Sequence, residues 1–96
     1  MLPGDSVIIA AGKNLTVSAT GKIQNNSTRI FNFNSTGTMT MNGVYVHNAN
    51  AQTIPSSTYT TYGTGSVIKV GDGASNITTV NPILPANAYD VIWNCP

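Results

Sequence analysis

Short strand-like segments recur along this 96-residue chain at a spacing of 22–24 residues. Each is rich in the Val, Ile, Thr and aromatic residues that favour strands. The first two sets are residues 7–9, 15–17 and 22–24, then residues 29–33, 38–41 and 44–47. A third set at 53–54, 58–62 and 67–70 fits less well, and a fourth is partial, at 77–80 and 89–93. Residues 82–85 interrupt the fourth set with two prolines, which predicts a loop because proline cannot donate to a sheet.

A repeat of this length with three short strands predicts a parallel β-solenoid, or β-helix. We therefore expect an all-β fold of about four coils in which residues 1–96 form a single domain, either complete or an excised part or subunit of a longer assembly. Gly- and Asn-rich corners support this fold, because these residue types accept tight turns. An antiparallel β-sandwich is the alternative, since its strands are also short and Asn42-Gly43 is a hairpin signal.

Alternation along the strands predicts which side chains face the core. In the 29–33 segment, Phe31 and Phe33 are assigned to the core in preference to Ile30. The other predicted inward residues are Leu15, Val17, Met39, Met41, Val44, Val46, Ile68 and Val70. The predicted outward residues are Thr16, Thr40, Tyr45 and Lys69.

The polarity of the chain comes from Asn, Ser and Thr, because only 7% of its residues are charged and the net charge is +1. This mixture disfavours helices, and four scattered basic residues do not make a nucleic-acid-binding surface. A hydrophobic content of 41% in clustered runs argues against disorder. We expect an extracellular or bacterial cell-surface location. No apolar run reaches the length of a membrane span, and no signal peptide is recognised, so an exported form would have lost its signal or would be part of a longer chain.

Two stretches and the C-terminal segment resemble a known class of protein. The opening GDSVIIAAGKNLTVSATGKI is similar to the start of many bacterial surface solenoids. The central MNGVYVHNANAQTIPSSTY, followed later by Trp93-Asn94-Cys95-Pro96, resembles a module of large secreted bacterial proteins that are exported with a C-terminal sorting domain. This resemblance implies a right-handed parallel β-helix, secreted or on the cell surface, with no catalytic residues to transfer. Such modules usually belong to far longer proteins.

Few side chains are candidates for chemistry. His47 is the only histidine, and since a metal site needs three or four ligands, we expect it at an exposed strand or corner position. Asp5, Asp72 and Asp90 are too far apart in sequence to predict a calcium site. A buried thiol is expected for Cys95, with an intermolecular disulfide as the alternative. We predict no catalytic, metal-binding or cofactor-binding residue and no cofactor, and we expect that the protein is not an enzyme.

Glycans could meet this chain in two ways. Tyr45, Tyr59 and Tyr62 are candidates for stacking on sugars, although packing between coils is the commoner use of such rings. Covalent glycosylation is the second way. The candidate acceptors are Asn14, Asn25, Asn26, Asn34 and Asn76, which begin Asn-x-Ser/Thr sequons, and Ser6 in a motif that resembles a bacterial O-glycosylation site.

The prediction of function rests on the residues at the two ends of the chain. A solenoid without caps exposes backbone groups and part of its core at each end. Both ends of this sequence are apolar, and the candidate self-association residues are Met1, Leu2, Val91, Ile92, Trp93 and Cys95. Head-to-tail contacts between such ends generate an open filament, so we expect a structural protein that binds copies of itself in a fibre or surface layer. The alternatives are a carbohydrate-binding or adhesin module that recognises cell-surface glycans, and a fragment of a β-helix lyase.

Overall fold

A computed structural model describes residues 7–26, 31–34, 36–48, 54–74, 77 and 84–96 of the chain. Within these residues the chain forms nine strands and no helix. The strands are β1 (Val7–Ile9), β2 (Asn14–Val17), β3 (Lys22–Asn25), β4 (Phe31–Phe33), β5 (Thr38–Met41), β6 (Val44–His47), β7 (Thr60–Tyr62), β8 (Val67–Val70) and β9 (Asp90–Trp93). Met1, Leu2, Ser6, Ile30 and Asn76, which carried predictions above, lie outside the described residues.

The described strands form three parallel sheets. Sheet 1 has the order β1-β4, sheet 2 the order β2-β5-β7 and sheet 3 the order β3-β6-β8-β9. Paired residues are 21–24 positions apart in the chain, as in Met39 with Thr60 and Val7 with Phe31. The predicted all-β fold is therefore confirmed for these residues. The antiparallel sandwich is wrong, because every described strand pair is parallel. Parallel neighbours need a long connection, and here the chain passes through the other sheets before it returns.

Most strand positions follow the predicted segments. The bounds of β1, β5, β6 and β8 match them, and β7 and β9 start later than predicted. Ile54 and Ile77 were predicted in strands, but the structure places both outside regular strands, where they still contribute to the core. Residues 84–85 have no regular structure, as the prolines predict.

Register partners bring side chains of the same orientation into columns across each sheet. The inward columns of sheets 2 and 3 are Leu15–Met39–Thr60, Val17–Met41–Tyr62, Ile23–Tyr45–Ile68–Val91 and Asn25–His47–Val70–Trp93. Most apolar members of these columns are buried and form one core cluster. The predicted inward positions on β2, β5 and β8 are confirmed, with Leu15 only half-buried against the cluster.

Strand β6 turns the opposite face to the core from the one predicted. Tyr45 and His47 are fully buried, so the expectations that Tyr45 faces outward and that His47 is exposed are wrong. The reason is the register between neighbouring strands. Tyr45 pairs with Ile68 and His47 with Val70, and both partners face inward.

The two valines of β6 consequently lie on the outer face of sheet 3. Val44 is half-buried. Val46 is buried but lies outside the core cluster, with Gln24 and Lys69 as its partners on the flanking strands. Long side chains can cover an apolar neighbour with their methylene groups, which is why burial alone does not reveal the face that Val46 occupies.

Candidate self-association surface

Strand β9 is the last strand of sheet 3, and its side chains are exposed where the preceding members of their columns are buried. Val91 is 38% exposed although its partner Ile68 is 1% exposed, and Trp93 is 62% exposed although its partner Val70 is 0% exposed. Among the described residues, no strand pairs with the far edge of β9. The two inward columns of sheet 3 therefore end in open apolar side chains.

One backbone edge of β9 is hydrogen-bonded to β8, and the other edge faces outward. Asn94, just after the strand, donates its N–H to the Val70 carbonyl at 2.7 Å and accepts from the N–H of Gly73 at 2.8 Å. Successive residues of a parallel strand direct their groups to alternate sides. Val91 and Trp93 therefore direct their N–H and C=O groups away from β8, as in a sheet edge that can accept another strand.

We name the exposed side chains and the outward edge of β9 the terminal strand surface. Its apolar side chains are Val91, Ile92 and Trp93, and Tyr89 lies just before them with 58% of its surface exposed. Contiguous exposed apolar side chains of this kind mark interaction sites more often than scattered single residues do. Three of the six residues predicted for self-association therefore lie together on this surface.

Cys95 does not share that exposure. Its side chain is half-buried, packs against the core cluster and lies 3.5 Å from the Val70 carbonyl oxygen. The thiol also sits against the backbone of Gly71. Cys95 therefore helps to anchor the end of the chain on β8, and its placement fits the prediction of a buried thiol only in part.

The first strands of the three sheets lie at the opposite end of the strand order. An open depression of about 320 Å³ lies against β1 and β2, lined by Val7, Ile8, Ile9, Ala10, Lys13, Asn14 and Leu15. Ile8 is largely exposed. In β3, Lys22 is exposed and Ile23 is half-buried. This end also presents apolar side chains.

No protein-family model, curated protein or solved structure matches this chain. In the part of the chain that the structure describes, there is no helix that could span a membrane. In that same part, no three His, Cys, Asp or Glu side chains are grouped closely enough to hold a metal ion.

Two of the three tyrosines predicted to contact sugars are in the core. Tyr45 is fully buried and Tyr62 is nearly so, and that prediction is wrong for both because a buried ring cannot stack on a sugar. Tyr59 is 39% exposed. Its ring stacks on Phe33 with 5.0 Å between the centroids and an angle of 5° between the planes.

Polar side chains form ladders on the outer faces of the sheets. On sheet 2 the Asn14 side-chain N–H donates to Thr38 at 2.8 Å and to Thr40 at 3.2 Å, and Thr16 donates to the Asn14 carbonyl oxygen at 2.9 Å. Thr61 extends the threonine column as the register partner of Thr40. We name these five residues the polar face of sheet 2.

A second ladder lies beyond the ends of β3, β6 and β8. The side-chain N–H of Asn48 donates to Asn26 at 3.0 Å and to the Asp72 carboxylate at 2.9 Å. The other oxygen of Asp72 accepts from the Ala74 N–H at 2.9 Å. Asp72 thus stabilises the turn after β8.

The predicted glycosylation acceptors have different environments. Asn14, Asn26 and Asn34 are exposed, and the side chains of Asn14 and Asn26 take part in the ladders. Asn25 is fully buried, so it cannot be modified in the folded state. Glycosylation at the exposed positions remains a prediction. A glycan on Asn14 would replace an N–H of the amide that donates to Thr38 and Thr40, and a glycan on Asn26 would be attached beside the oxygen that accepts from Asn48.

Two buried tyrosines hold their protons tightly. Burial raises the pKa of Tyr45 from 10.0 to about 12, and a hydrogen bond from the Asn25 side chain opposes part of this rise. Burial also raises the pKa of Tyr62, and repulsion from Tyr45 adds to that rise. The Tyr62 hydroxyl donates to the Pro55 carbonyl at 2.6 Å, which stabilises its protonated form.

We expect the free energy of unfolding to fall as the pH rises from about 10 to about 12. In this window the unfolded chain releases tyrosine protons that the folded chain keeps, so a rise in pH favours the unfolded state. For Tyr45 the pKa difference corresponds to about 3 kcal/mol at the upper end of the window. Urea titrations at several pH values measure the slope. The Tyr45→Phe variant is the control and should lose the part of the slope that Tyr45 contributes. An unchanged slope would contradict the raised pKa of Tyr45.

Proposed function

We propose that this chain is a non-enzymatic structural protein, extracellular or on a bacterial cell surface, that binds copies of itself in a fibre or surface layer. The contact is made through the open ends of a parallel β-solenoid. The single observation that carries the proposal is the exposure of Val91 and Trp93 at the ends of columns that are buried elsewhere.

The order of the strands supports a solenoid. Following the chain, β1, β2 and β3 enter sheets 1, 2 and 3 in turn, and β4, β5 and β6 repeat that order. Next, β7 and β8 enter sheets 2 and 3, and β9 returns to sheet 3. In the proposed solenoid this path corresponds to about four coils, and we expect it to be right-handed because connections between parallel strands almost always are.

The placement of polar side chains supports a structural role. On the polar face of sheet 2, Asn14 bonds to Thr38 and Thr40 along the outer surface, and Asn48 bonds to Asn26 and Asp72 in the same manner. Such ladders stabilise stacked strands. Enzymes instead converge acids, bases and nucleophiles on one cavity.

The location outside the cell rests on composition and on the resemblance described above. Charged residues are 7% of the chain, and the surface polarity comes from Asn, Ser and Thr. The same resemblance supports a bacterial origin for the proposed layer or fibre.

Electron microscopy of the purified protein across a concentration series tests the proposal. We expect long fibres whose diffraction gives a spacing of about 4.8 Å along the fibre, since stacked coils repeat at the distance between strands. Discrete small particles at every concentration would contradict it.

Two proline variants separate assembly from folding. The N–H of Val91 points away from β8, whereas that of Ile92 points toward it. We expect Val91→Pro to abolish fibres while lowering the free energy of unfolding by less than about 1 kcal/mol, because proline is tolerated at a sheet edge. The control Ile92→Pro should lower it by about 2 kcal/mol, because proline removes the N–H that Ile92 donates to β8. Normal fibres from Val91→Pro, seen by microscopy, would show that this edge is not the contact.

A carbohydrate-binding or adhesin role is the second candidate, and Tyr59 favours it. Its carbonyl accepts from the Met39 N–H at 2.9 Å, and by alternation its side chain lies on the same side as that of Thr61, which belongs to the polar face of sheet 2. An exposed ring among hydroxyl and amide groups is a typical sugar platform. If the protein remains a monomer, binding to a glycan array that Tyr59→Ala abolishes would support this role instead.

A further inference from the structure

We infer that the partner of the terminal strand surface is β3 of a second copy, paired in parallel with Asp90 opposite Lys22 and Val91 opposite Ile23. Ile92 then lies opposite Gln24, and Trp93 opposite Asn25. This inference rests on the proposed function and adds to it the strand, the direction and the register of the contact.

The two strands are the outer members of one sheet. Sheet 3 begins with β3 and ends with β9, and both strands have four residues. Among the described residues, sheet 2 offers no equivalent at the β9 end. There the Asn87 side chain donates to the Thr60 carbonyl of β7 at 3.0 Å, and residues 84–85 are irregular. A regular junction between two copies therefore forms through sheet 3.

The backbone allows this register. Val91 directs its N–H and C=O away from β8, as derived above. In β3 the Asn25 carbonyl accepts from the N–H of Asn48, just after β6, at 2.8 Å. By alternation Ile23 also faces β6 and Lys22 faces the opposite way. With Val91 opposite Ile23, the N–H of Val91 meets the Lys22 carbonyl of the second copy. A shift of one residue would turn these groups away from each other.

The charges select this register among those that the backbone permits. The outer column of sheet 3 runs Lys22–Val44–Val67–Asp90. It begins with a cation, ends with an anion and is apolar between them. Stacking in register places Asp90 beside Lys22 of the next copy, at the distance of neighbouring strands, where opposite charges stabilise the pair. A shift of two residues would place both charges beside uncharged neighbours.

The apolar side chains support the same register. In this register Val91 and Ile23, one exposed and the other half-buried in the single chain, become neighbours in one continuous inward column. Burial of the two against each other removes apolar surface from water, which is the main favourable contribution to such an association. The same step repeats at each junction, so the contact generates an open filament.

Charge reversal tests the pairing. Lys22→Asp alone or Asp90→Lys alone places like charges at every junction, and we expect each to raise the concentration needed for assembly about fivefold. An equimolar mixture of the two variants should assemble at nearly the wild-type concentration, because each junction then joins opposite charges. Single variants that assemble like the wild type, or a mixture that gives no rescue, would overturn the pairing.

Disulfide cross-linking tests the register directly. In a Cys95→Ser background, the double variant I92C/Q24C brings the two new thiols within disulfide reach between copies, and we expect ladders of linked oligomers on oxidation. The matched control I92C/N26C is displaced by two residues, which separates the Cα atoms by about 8 Å and prevents the bond. Fibres in which the control links and I92C/Q24C does not would overturn the register alone. Absence of wild-type fibres would instead overturn the proposed function.

Discussion

Replacing Gly43 with alanine lowers the free energy of unfolding by about 4 kcal/mol, which is the largest effect we expect from a single methyl group in this chain. The added Cβ would lie 2.1 Å from the carbonyl oxygen of Gly21 and 2.5 Å from that of Ser18. Both atoms belong to the backbone of the corner before β3, against which the corner before β6 is packed.

Neither carbonyl can move away without breaking other bonds. Val44 donates to the Gly21 carbonyl at 3.0 Å, Gly21 donates to the Ser18 carbonyl at 2.8 Å, and Val67 donates to the Gly43 carbonyl at 3.0 Å. These bonds fix successive corners of sheet 3 in contact. Because interiors are close-packed and transmit strain, a clash here disturbs three strands rather than one.

Urea unfolding followed by circular dichroism measures this effect. The matched control is Gly65→Ala, at a corner where no atom lies within 4 Å of the added Cβ but where φ is +83°. That variant should lose only about 1 kcal/mol, the strain of a side chain at positive φ. Equal losses for the two variants would show that conformational strain, and not close contact between corners, determines the cost of a side chain at these positions.

Replacing Tyr45 with alanine lowers the free energy of unfolding by about 4 kcal/mol. Its ring is fully buried between Ile23 and Ile68 in the inward column, so truncation leaves a cavity in the core. Its hydroxyl accepts from the Asn25 side chain at 3.3 Å. Tyr45→Phe keeps the ring and removes that bond, so it should lose only about 1 kcal/mol.

The neighbouring residue provides the control. Val44→Ala changes a half-buried side chain on the outer face of the same strand, and we expect a loss below about 1 kcal/mol. Thermal or urea unfolding of the three variants ranks them. A larger loss for Val44→Ala than for Tyr45→Ala would mean that β6 presents its other face to the core.

The proposed stacking adds a consequence for the ends of the molecule. In a filament, β9 would no longer be an edge strand, and Trp93 would pass from a largely exposed position to a buried one. Its fluorescence would then shift to shorter wavelength as fibres grow. The exposed edge is also the feature on which the proposed function rests, because an unpaired edge is both a hazard for a monomer and a template for assembly.

The spacing of the strand-like segments predicted which strands pair and favoured parallel pairing over the antiparallel sandwich. Segments that return every 22–24 residues with two others between them lie as parallel neighbours when the chain coils, and the structure pairs residues 21–24 positions apart. In β2, β5 and β8 the alternation of apolar and polar residues also fixed the inward face. The prolines after residue 80 marked the loss of regular structure at residues 84–85.

Only the tertiary structure decided the face of β6 and the state of the ends. The segment Val-Tyr-Val-His has side chains at every position that can be buried, so alternation within the strand cannot choose between Tyr45 and Val44. The choice depends on the register with Ile68 and Val70, which is a contact between strands distant in sequence. Likewise, Val91 resembles Ile68 in sequence, and only the absence of a further described strand beyond β9 leaves it exposed. Local sequence sets the period of a repeat, whereas burial depends on what lies on the next strand.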